Sequence, residues 1–267
     1  MTTVLGTPVV AGRATDKALL LSDLHVPFGG GEVVDTLNAA MAAARAEGAA
    51  LFVLGDLFDS YVSAAQVHHG VFREVADRFA ALVAAGTPVT VLVGNRDFLM
   101  GPEFANRSRA LLVPGGIRLA LGGVDTLLLH GDELCLNDLP YQRSKRVLRH
   151  PVTRAVARNL PVALALRVAK NLRNRSKRSI ASGDQSRFVP PRAAIEAAFA
   201  TGARRLVFGH IHRHAHGHLA GGEYRVLPAF DAGGGAILVD DAGWRPMRVT
   251  LGGALEPVAE PPPAPWT

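Results

Sequence analysis

Five short apolar runs constrain this chain more than any other feature, because side chains of metal-ligand type follow each of them. The runs are 18–21, 50–54, 89–93, 126–129 and 205–208. Asp23 and His25 follow the first, and Asp56 and Asp59 the second. Asn95, Arg96 and Asp97 follow the third, His130 and Asp132 the fourth, His210 and His212 the fifth. Continuous apolar runs of this length read as strands buried on both faces. Ala-rich helical stretches at 33–47 and 66–85 separate the first three runs, which predicts βαβ units. Further strands with Gly-rich turns are expected at 224–227, 236–239 and 247–251. The expected fold class is α/β, a sandwich of two sheets covered by helices.

The net charge of +6 hides an asymmetry. Residues 139–183 hold twelve Lys and Arg and no Asp or Glu, which leaves seventeen basic against twenty-three acidic residues elsewhere. The chain is therefore an acidic body with one basic segment. Within that segment Leu160, Leu164, Val168 and Leu172 recur at i+4, giving one apolar stripe on a basic helix. The pattern suits a helix packed on the body with a solvated basic face. It also suits a surface for anionic lipid or a phosphorylated substrate. Tyr141 is the one aromatic residue there, so base-stacking platforms are scarce and no nucleic-acid partner is expected. At 267 residues the chain fits one large domain with an insertion: a domain over 15–255, the basic helical insertion at 139–183, and a Pro-rich tail at 256–267 that is extended or disordered.

Cys135 is the only cysteine, which excludes an internal disulfide and a multi-Cys zinc site. A buried packing role is expected for it. No apolar run approaches the roughly 18 residues of a membrane-spanning helix. The first residues lack a basic stretch followed by a long apolar core, so the cytoplasm is the expected compartment.

Ligands clustered beyond strand ends match the edge where α/β sheets form their sites. Asp offers an anionic oxygen, Asn a neutral one and His a borderline nitrogen. That thiolate-free set suits Mn, Fe, Zn or Mg. Two divalent ions about 3.5–4 Å apart can clamp a phosphoryl group and activate water. With Asp23 and Asp56 beside them, such a pair stays cationic, as an anionic phosphate ester requires. Asp59, Asp97 and Asp132 are expected to orient ligands rather than to bind ions. His68 and His69 are expected on a helix surface, and His214, His216 and His218 on a strand or loop.

The strings DLH, GDLFD, GNRD, HGD and GHIH together resemble the calcineurin-type metallophosphoesterase superfamily. The resemblance runs from about residue 19 to 212. It implies a β-sandwich flanked by helices, with two divalent metal ions. By motif position Asp23, His25, Asp56 and His212 would hold one ion. Asp56 (bridging), Asn95, His130 and His210 would hold the other. Arg96 stands where the superfamily usually has His; Arg does not act as an acid, but it offers a charged fork to phosphate oxygens. That substitution fits cleavage of a diphosphate, whose leaving group is already a stable anion.

The longer strings GNRDFLMG, GDLFDSY and HGDELCLNDLPYQRSKR are similar to the UDP-2,3-diacylglucosamine hydrolases of the lipid A pathway. The resemblance implies a Mn²⁺-dependent enzyme, peripheral to the cytoplasmic face of the inner membrane. It would release UMP and 2,3-diacylglucosamine 1-phosphate from a lipid-nucleotide substrate. Asp56, Asn95, Arg96 and His130 would carry the catalysis. Asn95 and Arg96 would touch the diphosphate, Asp138 the glucosamine, and Ser176, Tyr61 and His210 other parts of the substrate. The basic insertion would be an apolar and basic cap for the acyl chains. Asn137 and His214 replace a common Asp and Pro, and the stretch after Ser176 departs from the family. The alternatives are a dinuclear phosphoesterase with another diester or diphosphate substrate, and an inactive scaffold that binds membrane or a partner.

Overall fold

Two seven-stranded sheets face one another in the computed structural model of the chain, which describes residues 2–148, 150–164, 167, 171, 185–219, 221–261, 263 and 264. The first sheet is built on four parallel strands: β3 (Ala18–Leu21), β4 (Ala50–Leu54), β5 (Val89–Leu92) and β6 (Leu111–Val113). Helices α1 (Glu32–Ala46), α2 (Gly70–Ala84) and α3 (Pro102–Ser108) make the crossovers. β12 (Gly235–Asp240) runs antiparallel to β3, with Leu238 opposite Leu19, and β13 (Gly243–Val249) and β14 (Leu255–Pro257) complete the sheet.

The second sheet begins with a hairpin of β1 (Thr2–Val4) and β2 (Thr7–Ala11). It continues through β7 (Gly116–Leu121) and β8 (Val124–Leu128) to β9 (Arg205–Phe208). β11 (Gly222–Val226) lies beside β9, and β10 (Ala215–Leu219) forms the edge. Helix α6 (Arg192–Phe199) covers its outer face, while α4 (Leu139–Leu148) and α5 (Pro151–Arg158) stand between β8 and α6 in the chain.

The period of two along each strand sorts its side chains into layers. Leu20, Phe52, Leu54 and Leu92 point inward and meet Ile117, Leu119, Leu128 and Val207 between the sheets. Leu19, Leu21, Leu51, Val53 and Val91 point outward against Val34, Leu37, Phe72, Phe79 and Phe104 on α1, α2 and α3. Leu127, Leu206, Phe208 and Tyr224 meet Ile195, Ala198 and Phe199 of α6. Apolar matter on both faces is why these strands read as unbroken runs, and the expected two-sheet sandwich covered by helices is the fold found.

The differences from expectation have local causes. The helix expected at 66–85 is split: Ser63 and Gln66 form a capping box that closes a short 3-10 turn at Ala64–His68, and α2 starts afresh at Gly70. His68 and His69 are exposed there, as expected. β7 alternates, with Ile117, Leu119 and Leu121 buried and Arg118 paired to Asp125, so a search for continuous runs passes over it. Residues 2–11 lie outside the expected 15–255 yet belong to the second sheet, β1 pairing with β2 and residues 9–11 of β2 with β7. Among the described residues of the tail, Ala264 N–H donates to His216 O at 2.7 Å on the edge strand β10. In the basic segment Leu160 and Leu164 are described, whereas Val168 and Leu172 lie outside the described residues. Among the described residues no helix is long and apolar enough to cross a membrane.

Leu20 is fully buried between the sheets. Leu20→Ala is expected to cost about 2–5 kcal/mol of unfolding free energy in a urea titration. A cost below about 1 kcal/mol would mean that the inter-sheet layer collapses around the cavity.

Candidate metal centre

The strand ends that carry the motifs converge at one seam between the sheets. Asp23 and His25 leave β3, Asp56 leaves β4 and Asn95 leaves β5, while His130 leaves β8 and His210 and His212 leave β9. Two groups form. Asp23, His25 and His212 each bring one ligand atom within 4.8 Å of the others, and so do Asp56, His130 and His210. Within the first, His25 Nε2 lies 3.0 Å from His212 Nε2, and Asp23 Oδ1 lies 3.4 Å from His212 Nε2. Within the second, His130 Nε2 is 3.6 Å from Asp56 Oδ1 and 2.9 Å from Asn95 Oδ1. His25 Nδ1 lies 3.9 Å from Asp56 Oδ2, so the groups adjoin through Asp56. All seven residues expected as ligands are thus brought together.

The backbone is bent to make this possible. Seven non-glycine residues have a positive φ among those described, and five are Asp23, His25, Asp56, His210 and His212, with φ of 57, 48, 50, 67 and 50°. Each such left-handed residue costs on the order of 1–3 kcal/mol and persists where its surroundings over-determine it. Here they do. His25 N–H donates to Asp56 O at 2.9 Å, Gly209 N–H to His130 O at 2.8 Å, and His210 N–H to Asp23 Oδ2 at 2.8 Å. Glycine is required at two close approaches. A Cβ at Gly94 would strike the Asp56 carboxylate, and one at Gly209 would strike Ser22 Oγ and Asp23 Oδ2.

Burial and crowded charge set the electrostatics. Burial pushes Asp23 up, but His212 beside it and the fields of His130 and His25 hold it below the usual carboxylate range. Burial raises Asp56. Burial and Arg96 push His25 down to about 2, and burial with His130 pushes His210 down to about 3. Both are therefore neutral, with lone pairs to offer. Burial also works against a charged His130, yet the carboxylates of Asp56, Asp23 and Asp132 raise it to about 9. Asp23 Oδ1 and His25 Nδ1 are buried without a hydrogen-bond partner among the described residues. Oxygen and imidazole donors left open in this way fit divalent cations.

Three acidic residues orient the site from outside. Asp97 accepts from Gly94 N–H at 2.7 Å and Leu57 N–H at 2.8 Å, tying the loops after β4 and β5 together. Burial and the charge of Asp56 push it up to about 7. Asp59 holds Arg96 Nη1 at 3.0 Å, and Arg96 Nε also lies 3.3 Å from Asp56 Oδ2. Asp132 accepts from Tyr141 Oη at 2.5 Å and pairs with Lys145 Nζ at 2.6 Å, both on α4. Ser22, which sequence reasoning passed over, donates from Oγ to Asp23 Oδ2 at 2.8 Å. Its signal was only a hydroxyl residue before the Asp.

The substrate contacts expected from sequence fare differently. Tyr61 is fully buried, with its ring against Phe58, Phe72 and Phe104, and its backbone N–H donates to Arg96 O at 3.0 Å. Asp138 is buried, and its Oδ1 accepts from Tyr141 N–H at 3.3 Å at the start of α4. Ser176 lies outside the described residues. Cys135 is buried as expected. His216 and His218 sit on β10, with His214 just before it.

The family model for calcineurin-like phosphoesterases matches residues 17–214. A UDP-2,3-diacylglucosamine hydrolase of Shewanella piezotolerans is 32% identical over 212 residues, covering 79% of this chain and 88% of that one. The hydrolase of that name from Pseudomonas putida is 31% identical, covering 85% and 96%. The one from Stenotrophomonas maltophilia is 34% identical, also covering 85% and 96%.

Cation binding is expected to release protons. In the metal-free site His130 is protonated below its pKa of about 9, whereas a ligating imidazole must be neutral. Apparent affinity for a divalent cation should therefore rise with pH up to about 9. Titration calorimetry of chelator-stripped protein at pH 7, in buffers of different ionisation enthalpy, should report about one proton or more released. No release would remove His130 from the ligand set.

Proposed function

This chain belongs to the calcineurin-like phosphoesterase family, and from that premise we propose that it is the hydrolase that cleaves the diphosphate of UDP-2,3-diacylglucosamine into UMP and 2,3-diacylglucosamine 1-phosphate. It is a hydrolytic phosphoesterase, and its family uses a dinuclear divalent metal site. The observation that carries the substrate is the set of relatives named UDP-2,3-diacylglucosamine hydrolase, 31–34% identical over most of the chain. The paired Asp/His groups with an arginine fixed beside them supply the matching chemistry.

Asp23, His25, Asp56 and His212 would hold one ion, and Asp56, Asn95, His130 and His210 the other, with Mn²⁺ the proposed metal. When bound, such ions supply Lewis acidity toward a phosphoryl oxygen and a source of nucleophilic water at neutral pH. Arg96 is the group that would meet the diphosphate. Asp59 and Asp56 hold its guanidinium in place, so little reorganisation is needed to meet growing negative charge on phosphoryl oxygens. It donates hydrogen bonds and transfers no proton. The sugar 1-phosphate needs none, since it departs as a stable anion. Asp97 keeps the loop around Asn95 and Arg96 folded.

The lipid part of the substrate is matched by α4 and α5. Val147, Val152 and Val156 are more than 60% exposed on these helices, among basic residues. We propose that the 139–183 insertion receives the acyl chains and rests on the inner leaflet, on the cytoplasmic side. Each buried CH₂ would contribute about 0.8 kcal/mol, and each Lys or Arg near an anionic surface about 1 kcal/mol.

Incubation with UDP-2,3-diacylglucosamine and Mn²⁺ should yield UMP, and Asp56→Asn should abolish the release. Arg96→Met should lower kcat by about 10²-fold or more while leaving cation stoichiometry intact. Failure to release UMP, together with turnover of bis-p-nitrophenyl phosphate, would reject this substrate and keep the phosphoesterase. No turnover of either, with no transition metal bound, would favour an idle scaffold.

A further inference from the structure

The described part of the basic segment, α4 and α5, is fastened to the body on two sides, and only one of them involves a sequence motif. On the first side, Tyr141 and Lys145 of α4 reach Asp132, and Gln142 Nε2 donates to Asp132 O at 3.0 Å and Cys135 O at 3.1 Å. On the second side, the end of α5 meets the loops that follow β4 and β5. Arg158 Nη2 lies 2.6 Å from both carboxylate oxygens of Glu103. Ser63 Oγ donates to Leu160 O at 2.7 Å. Buried Val62 and Leu99 form a small apolar cluster against which Phe98, Ala157 and Leu160 pack. A Cβ at Gly101 would sit 2.8 Å from Arg158 Nη1, so glycine leaves the room the guanidinium needs.

These two loops are also the ones that hold Arg96. Tyr61, next to Val62, donates its N–H to Arg96 O, and Met100 N–H donates to Asp97 O at 2.8 Å. Asp97 in turn accepts from Gly94 N–H, which folds residues 94–100 into one tight turn. Within 95–103 the chain therefore places Asn95, Arg96, the apolar Leu99 under Leu160, and the Glu103 carboxylate under Arg158.

We propose that Glu103 is a positioning residue: its ion pair with Arg158 registers the basic helical segment against the loop that carries Arg96. The ligand class that would use this coupling is an amphiphile, with an apolar chain for the exposed Val152 and Val156 and an anionic phosphate ester for Arg96. Its identity as an acylated nucleotide sugar rests on the reading given under Proposed function. Neither Glu103 nor Arg158 belongs to the ligand set, and a small diester that never reaches α5 does not use the contact.

Glu103→Gln, which keeps shape and removes charge, tests this in the full chain. The pair is partly exposed, so the effect is modest: KM for UDP-2,3-diacylglucosamine should rise about threefold to fivefold. The kcat on that substrate and all parameters for bis-p-nitrophenyl phosphate should stay within about twofold. The exchanged pair Glu103→Arg with Arg158→Glu should recover part of the KM. Equal losses on both substrates, or none on the lipid, would overturn the proposal. Hydrogen exchange of the unliganded protein gives a second reading that needs no substrate. Glu103→Gln should speed exchange in 151–160 and also in 95–101. Faster exchange in 151–160 alone would show that α5 and the Arg96 loop are not coupled. A wild type inert on the lipid nucleotide would overturn the substrate assignment instead, and the exchange result would then decide the coupling.

Discussion

The hydrogen bond from His210 N–H to Asp23 Oδ2 joins the two sheets at the point where all the ligands meet. Its partners lie 187 residues apart, just beyond the ends of strands in different sheets. The same carboxylate oxygen accepts from Ser22 Oγ, so Oδ2 is saturated and Oδ1 is left facing His25 and His212 without a hydrogen bond. A fully buried carboxylate with no donors would be too costly to keep ionised. With two donors on one oxygen it is held in a fixed orientation, as a metal ligand would need to be. Asp23 and His210 both hold left-handed backbone, and each depends on the other to stay there. The glycine before His210 follows from the same contact, because a side chain at Gly209 would occupy the space of Ser22 and Asp23.

Charge at the seam is balanced only in part by the protein. Asp56 is pushed up by burial and by Asp23, while His130 is pushed up by three carboxylates. His25 and His210 are pushed down, to about 2 and about 3, by burial and neighbouring positive charge. Acidic and basic groups therefore crowd one largely buried space. Two divalent cations would resolve the conflict: the carboxylates would keep their charge, the imidazoles would be used neutral, and the net charge would remain positive. That sign is what an anionic diphosphate needs on approach.

The sequence reveals the candidate ligands more readily than what holds them. Asp23, His25, Asp56, Asn95, His130, His210 and His212 stand out because each closes a run that can only be a buried strand. β7 and β10 are less legible, since one alternates and the other carries His216 and His218 with little apolar content. The burial of Tyr61 is not legible either: it follows the Asp56 motif closely in sequence, but Phe58, Phe72 and Phe104 draw its ring into the core. Asp97 could be recognised as an orienter, though which loops it ties depends on backbone donors that every residue possesses. The pairing of Glu103 with Arg158 spans 55 residues and leaves no periodic trace.

The arginine in the third motif ties site chemistry to the choice of leaving group. A histidine there could lend a proton to an alkoxide, while Arg96 can lend only hydrogen bonds and charge. Asp59 and Asp56 both bind its guanidinium, so it is held ready before any phosphate arrives. Such an arrangement favours bonds whose leaving group is stable without protonation, which a diphosphate offers and an alkyl diester does not. Selectivity then need not come from a closed pocket around the reacting atoms. On the proposed reading, part of it would come from the leaving group itself, and part from the contact of the end of α5 with the segment that carries Arg96. Both follow from one short stretch, 95–103, folded by Asp97 between the metal-ligand strand ends and α5.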